Sequence, residues 1–329
     1  MIQCLTMTSL KTKNICFLAA FLFLAIVPTL AEVVGIVQNC NQFLYPPGTP
    51  PEIPGVLVGG GIQNNNRYKV ICQTYNGVQR FLTVYDTENK IPVFSAYEYR
   101  GSAGGRPDPT WMIEPQLDVQ PAQDNINMRT QGRTTCNNQA VNADYDGNGR
   151  GYAKGHLFPV NHATTDDDKI STFTLTNAVP QVDGFNGGRW RVMEGKIKDE
   201  MDQNIFSNNI GIRCFVVVGA QPSDNNIPNN NLNNRVNIPS LMWSAFRCTN
   251  GVSGAYWDEN IKRDPPRPME KKTLQQLQDE LGKTLQGFTL FPQNQPALKR
   301  SSSNSQQSQA GPSKQPRKSR SLPSSAGKS

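Results

Sequence analysis

Apolar positions in the middle of the chain fall into short runs bounded by turn residues. Residues 68–73, 79–85 and 92–100 alternate or cluster over lengths typical of strands, separated by brief polar turns. Two later runs, 213–219 and 240–248, are almost continuously apolar and rich in Val and aromatics. That is the pattern of strands buried on both faces. Between those two runs, residues 220–237 are largely Asn, Pro and Asp and read as a loop, residues 45–66 read as a surface loop, and residues 101–155 are polar and turn-rich. The residues from Thr172 to Gln181 form a β-prone run that the Asn and Pro within it are expected to break.

Two helical periods stand out. Trp190, Met193, Ile197 and Met201 share one face at 100° per residue, with Asn186, Glu194 and Lys198 bordering that stripe. Leu274, Leu277, Leu281 and Leu285 repeat in the same way behind Thr273-Leu-Gln-Gln276, a capping box. There is no internal repeat, and strands followed by scattered helices predict one α+β domain over residues 32–295.

The two ends differ in composition from this domain. Lys11 and Lys13 precede an unbroken apolar run from Ile15 to Val27 that ends in Pro28-Thr29-Leu30-Ala31. A basic start, a short apolar stretch and small closing residues predict a secretory signal over residues 1–31. The run is shorter than the ~20 residues of a bilayer span, so no stable membrane association is expected. Residues 296–329 are Ser, Gln, Pro, Lys and Arg with few apolar positions, a basic tail expected to be disordered and suited to contacting nucleic acid or anionic surfaces. The formal charge of +7 resides in these ends, because setting aside the nine cations outside residues 32–290 leaves that region at −2. Net charge therefore does not argue that the domain grips phosphates.

An oxidising compartment favours disulfides, and no C-x-x-C spacing is present. Cys4 and Cys16 fall in the signal. Cys214 opens one buried strand and Cys248 closes the other, which predicts Cys214–Cys248 and Cys40–Cys72, with Cys136 left over. The Asn142-Ala-Asp144-Tyr-Asp146-Gly147 segment begins like a calcium loop, but Ala153 stands where the bidentate Glu belongs, so it reads as a polar loop. Zinc hydrolysis is also excluded: His156 and His162 are the only histidines, and the cysteines are committed elsewhere.

Three blocks in order carry the chemistry: Ala153-Lys154-Gly155-His156, Asn177-Ala-Val-Pro-Gln181 and Asn186-Gly-Gly-Arg-Trp190-Arg-Val-Met-Glu194. With weaker matches at Val217-Val-Gly219 and residues 236–243, the chain resembles the DNA/RNA non-specific endonuclease family of the ββα-metal (His-Me finger) type. Within it, the likeness is greatest to the secreted endonuclease domain-containing 1 group, and it spans roughly residues 66–292. The resemblance implies a ββα-metal nuclease fold, with a central, mostly antiparallel sheet and flanking helices in a single domain. It also implies a secreted, Mg²⁺-dependent endonuclease (Mn²⁺ substituting) that hydrolyses DNA and RNA without sequence specificity.

The residue roles it implies agree with elementary chemistry. A neutral imidazole with a pKa near ~6.5 accepts a proton from water at neutral pH, the part assigned to His156. Mg²⁺ takes oxygen ligands and keeps most of its waters, so Asn186 is the expected direct ligand and Glu194 the group that holds metal-bound water. Asn177 would orient groups beside the histidine, and Lys198 and Arg106 would neutralise phosphate charge. The chain departs from the motif at Ala153 and Lys154, where the family has Asp and Arg. These departures motivate an alternative: a weak or inactive nuclease scaffold acting as an extracellular nucleic-acid-binding or interaction protein.

Overall fold

Each apolar run of the middle region becomes a strand in the computed structural model, which describes residues 33–46, 48–119, 127–147, 149–207, 211–224 and 229–292. The signal expected at 1–31 and the tail expected at 296–329 lie outside the described residues. The strands of five residues or more are β1 (Tyr68–Tyr75), β2 (Val78–Asp86), β3 (Ile91–Tyr99), β4 (Tyr152–His156), β5 (Ala178–Val182), β6 (Cys214–Gln221), β7 (Leu241–Cys248) and β8 (Ser253–Glu259). The helices are α1 (Asn142–Tyr145), α2 (Asp166–Ser171), α3 (Arg191–Ile205) and α4 (Leu274–Gly282).

A seven-stranded sheet runs in the order Val33–Val34, β1, β2, β3, β6, β7, β8, antiparallel at every pairing. Asn76-Gly77, both at positive φ (51° and 72°), make the two-residue turn whose twist suits the β1–β2 hairpin. The sheet continues from β3 to β6 with Tyr99 opposite Cys214. The chain between those two residues therefore leaves the sheet and returns to nearly the same point, and that excursion carries β4, β5, α2 and α3.

Both faces of the sheet are covered, which is why the central strands read as continuous apolar runs. On one face Tyr97, Val216, Val218, Met242 and Phe246 pack with Phe158, Trp190, Met193, Ile197 and Met201. The predicted stripe of α3 is thus wholly buried, worth about 1.5–3 kcal/mol for each large side chain removed from water. On the other face Phe94, Phe215, Val217 and Trp243 pack with Val37, Phe43, Leu277, Leu281 and Phe288. The capping box of α4 forms, Thr273 Oγ1 accepting from the Gln276 N–H at 3.1 Å and the Gln276 side chain accepting from the Thr273 N–H at 2.9 Å.

Both expected disulfides are present, and Cys136 is left as a buried thiol. Cys214 and Cys248 face each other directly in the β6–β7 register. Asp144 of the calcium-like segment is buried and held by the Val141 N–H and by Asn233, and Asn142–Tyr145 form the short helix α1, which corrects the expectation of a polar loop there. A second expectation is corrected as well. Pro180 does not end its strand, because β5 runs through it, paired only with β4 in a two-stranded ribbon where one edge needs no donor. Among the described residues no helix is long and apolar enough to cross a membrane.

Candidate active site

His156 ends β4, and its position is set by a close approach of that strand to β5. Gly155 lies opposite Val179, and a Cβ there would sit 2.6 Å from the Gln181 Cβ and closer still to its Oε1. Only glycine allows the two strands to meet at this distance. Asn177, fully buried in the turn before β5, then fixes the chain just beyond the histidine. Its Oδ1 accepts from the Phe158 N–H and from Ser95 Oγ, both at 2.9 Å, and its Nδ2 donates to the carbonyls of Phe158 (3.1 Å) and Thr172 (3.0 Å). The Ser95 hydroxyl is the last of a directed chain. Gln73 Nε2 donates to Thr83 Oγ1 (3.1 Å), which lies 3.0 Å from Ser95 Oγ. Since Ser95 donates to Asn177, Thr83 donates to Ser95, and the sheet interior is wired to the loop that holds His156.

The imidazole is packed between aromatic rings, Trp111 at 4.8 Å and Phe173 at 4.9 Å between centroids, and its residue is only 8% exposed. Burial, with a smaller contribution from the Arg106 charge, pushes its pKa down to about 3, so the ring is neutral at physiological pH. The expectation of an ordinary value near ~6.5 is corrected accordingly. The Arg106 guanidinium lies over the Phe173 ring at 5.2 Å and makes no ion pair among the described residues.

Asn186 and Glu194 come from a different segment. Phe185–Trp190 form a wide π-type turn in which Gly188 leaves helical geometry (φ −98°, ψ −116°) before α3 begins. Such turns concentrate at functional sites because they displace side chains from the regular helical face. Arg189 anchors this turn to the end of β8 through Asp258 (3.1 Å) and the carbonyls of Glu259 and Ile261. Glu194, in the first turn of α3, has no ion-pair partner among the described residues. Burial raises its pKa to about 8, partly offset by the Trp190 N–H and by Arg106 and Arg191. His162 ties α3 to the sheet. Its Nε2–H donates to the Glu194 carbonyl at 2.9 Å, which leaves Nδ1 to accept from the Tyr97 hydroxyl at 2.7 Å.

These elements enclose a cleft of about 410 Å³ lined by Arg106, His156, Asn186 and Glu194. Four of the six predicted site residues therefore meet in one place. Asn177 stands behind the site. Lys198 is turned to other work: its ammonium pairs with Asp202 at 2.7 Å, one turn along α3, and it does not line the cleft. Asn161, Lys169 and Arg191, none of them a predicted site residue, also line it, together with Lys154 of the first motif block. Lys154 is steered by the rings of Trp111 and Tyr145 (5.9 and 5.7 Å) and by Asp146 (3.4 Å). Lys169 is buried and donates to the Ala103 carbonyl of the loop that carries Arg106. Within Asp166-Asp167-Asp168-Lys169 it has the look of a solvated charge run, and no periodicity marks it as inward-facing.

A metal has restricted options in this cleft. Among the described residues no three His, Cys, Asp or Glu side chains gather as a ligand cage. What the cleft offers is the Asn186 carboxamide and the half-buried Glu194 carboxyl, which has no ion-pair partner among the described residues. An oxygen-poor, partly open site of this kind fits a hard cation that keeps most of its own water.

The chain is similar in sequence to known proteins. A profile described as DNA/RNA non-specific endonuclease matches residues 63–293. The Endonuclease domain-containing 1 proteins of Homo sapiens and Mus musculus are each 30% identical over 225 residues, 67% of this chain. The match covers 40% of those relatives' length.

Proposed function

The chain belongs to the DNA/RNA non-specific endonuclease family, and on that premise we propose that it is a secreted, Mg²⁺-dependent endonuclease cutting DNA and RNA without sequence preference. The observation that carries the reading is the meeting of His156, Asn186 and Glu194, from separate segments, in one cleft rimmed by cations. His156, neutral and without a competing partner at Nε2, is the general base that takes the proton of the attacking water. The Trp111 and Phe173 rings hold the imidazole in place and keep bulk water from it. Asn186 would be the direct ligand of the cation, and Glu194 would hold it through water. Bound there, Mg²⁺ (or Mn²⁺) supplies positive charge to the scissile phosphate and the departing oxygen. Arg106, Lys154, Lys169 and Arg191 line the route of the phosphodiester backbone and offset its charge, the part first assigned to Lys198. Asn177 is a positioning residue acting through the Phe158 backbone.

The signal at 1–31 and the two disulfides support export, and the tail at 296–329 would add electrostatic attraction to nucleic acid or anionic surfaces. The test is cleavage of supercoiled plasmid and of RNA by the purified full chain, wild type and His156→Ala, with Mg²⁺ or with EDTA. Degradation by wild type only, and only with Mg²⁺, is expected. Equal cleavage by His156→Ala removes the base assignment. Folded wild-type protein that cuts nothing under any metal points instead to a nucleic-acid-binding scaffold, which the absence of the motif's acid at Ala153 would favour.

A further inference from the structure

The turn at residues 160–162 contains a polar atom that the reading above leaves unused. Asn161 lines the cleft alongside Asn186 and Glu194, and its Oδ1 is buried with no hydrogen-bond partner among the described residues. A buried carbonyl oxygen left unpaired costs about 1–3 kcal/mol, so such atoms in folded proteins ordinarily have a partner that completes them. The turn is also not free to move away. His162, the next residue, donates from Nε2 to the Glu194 carbonyl at 2.9 Å and is held from behind by Tyr97 at 2.7 Å. Asn161 is therefore fixed against the turn of α3 that bears Glu194.

Two observations thus converge: an oxygen without a partner, and a tether that keeps its residue beside a carboxyl without a cation. Carboxamide oxygens are hard donors of the kind that Mg²⁺ and Mn²⁺ accept. At Ala153, where the family motif carries an acid, this chain has no side-chain oxygen to offer, and Ala153 does not line the cleft. We propose that Asn161 is a third protein oxygen at the cation site, supplied from the 160–162 turn in place of the acid missing at Ala153. His162 is the residue that positions it. This rests on the reading that Asn186 and Glu194 hold the cation.

The experiment measures cation binding directly, in the absence of nucleic acid. The full chain is titrated with Mn²⁺, free ion being followed by electron paramagnetic resonance, for wild type, Asn186→Ala, Asn161→Ala and Asn161→Asp. Thermal melts of each are recorded in EDTA and in Mn²⁺. Asn161→Ala is expected to weaken Mn²⁺ about 10–100-fold and to shrink the cation-induced rise in Tm, with its EDTA melt little changed. Asn161→Asp, isosteric and anionic, is expected to bind at least as tightly as wild type. Wild-type affinity in Asn161→Ala alongside loss of binding in Asn186→Ala overturns the proposal and leaves the Asn186 reading standing. The reverse pattern overturns the reading that Asn186 holds the cation, and with it the proposal that Asn161 is a third oxygen beside it. No Mn²⁺ binding by folded wild type overturns both. If Asn161→Ala does not fold, Asn161→Asp decides: binding weaker than wild type overturns the proposal.

Discussion

Replacing Asn177 with Ala tests whether this residue works on the substrate or on the scaffold. The side chain makes four hydrogen bonds and is fully buried, so truncation strands the Phe158 N–H, the Phe158 and Thr172 carbonyls and the Ser95 hydroxyl. At about 1 kcal/mol net for each bond, the expected loss is about 4 kcal/mol. For a domain of this size that corresponds to a fall in Tm of about 8–16 °C. Asn177→Asp keeps both accepting contacts and loses both donating ones, so it should lose about 2 kcal/mol plus the cost of placing a charge in the interior. Urea unfolding of the three proteins, followed by tryptophan fluorescence, gives the stabilities, and cleavage well below each Tm gives the activity. Activity should fall because Phe158 and the adjoining His156 lose their anchor. A stability change of less than about 1 kcal/mol combined with abolished cleavage would refute the positioning role and place Asn177 in direct contact with the reaction.

Further predictions follow from the same geometry. With Mg²⁺ saturating, cleavage should stay level from pH 8 to pH 5, because His156, pushed down to about 3, is neutral throughout. With Mg²⁺ well below saturation, activity should fall as pH drops below 8, since the Glu194 carboxyl, raised to about 8, must lose its proton to serve the cation. An acid limb near 6.5 that ignores Mg²⁺ concentration would contradict both statements. Gly155→Ala should cost about 1–3 kcal/mol by overpacking against Gln181 and reduce cleavage further by shifting His156, read by denaturant melts and plasmid nicking. Lys198→Ala should leave cleavage unchanged and cost less than about 1 kcal/mol, since its pairs with Asp202 and Asp199 are partly exposed. Arg106→Ala should slow cleavage about 10–100-fold through loss of charged hydrogen bonds to phosphate, and should leave the melt unchanged.

The parts of the fold legible in the sequence were those where burial imposes a period. The strands at 68–75, 78–86, 91–99, 214–221 and 241–248, the α3 stripe and the α4 capping box all follow from side chains that must leave water. β8 and α2 escaped notice for the opposite reason. Ser253–Glu259 is an edge strand with mixed polarity, and α2 is six residues headed by three aspartates, its Thr165/Asp168 capping box the one local signal. Within the site, His156, Asn186 and Glu194 were recognisable because each stands in a motif block of the family the chain resembles, His156 at the end of a strand and the other two on the turn and helix that follow. Lys198 was misplaced because adjacency to a buried stripe does not reveal that Asp202, four residues on, competes for the ammonium. Asn161 and Lys169 could not be read from spacing at all, since what makes them face the cleft is the His162 tether and the Ala103 carbonyl, contacts between distant segments.

The two sides of the sheet divide the molecule's obligations. The excursion between β3 and β6 supplies the cleft, and most of its large buried side chains, Phe158, Phe185, Trp190 and Met193 among them, join the core on one face. The opposite face is closed by α4, the residues around Val37–Phe43 and the Cys40–Cys72 bridge, none of which lines the cleft. Substitutions on opposite faces therefore have separate neighbours, and their effects on stability should add with little coupling. In evolutionary terms, the closed face is a reserve. Stabilising changes can accumulate there without disturbing the chemistry, and they offset what a Glu194 without an ion-pair partner and a desolvated His156 take away.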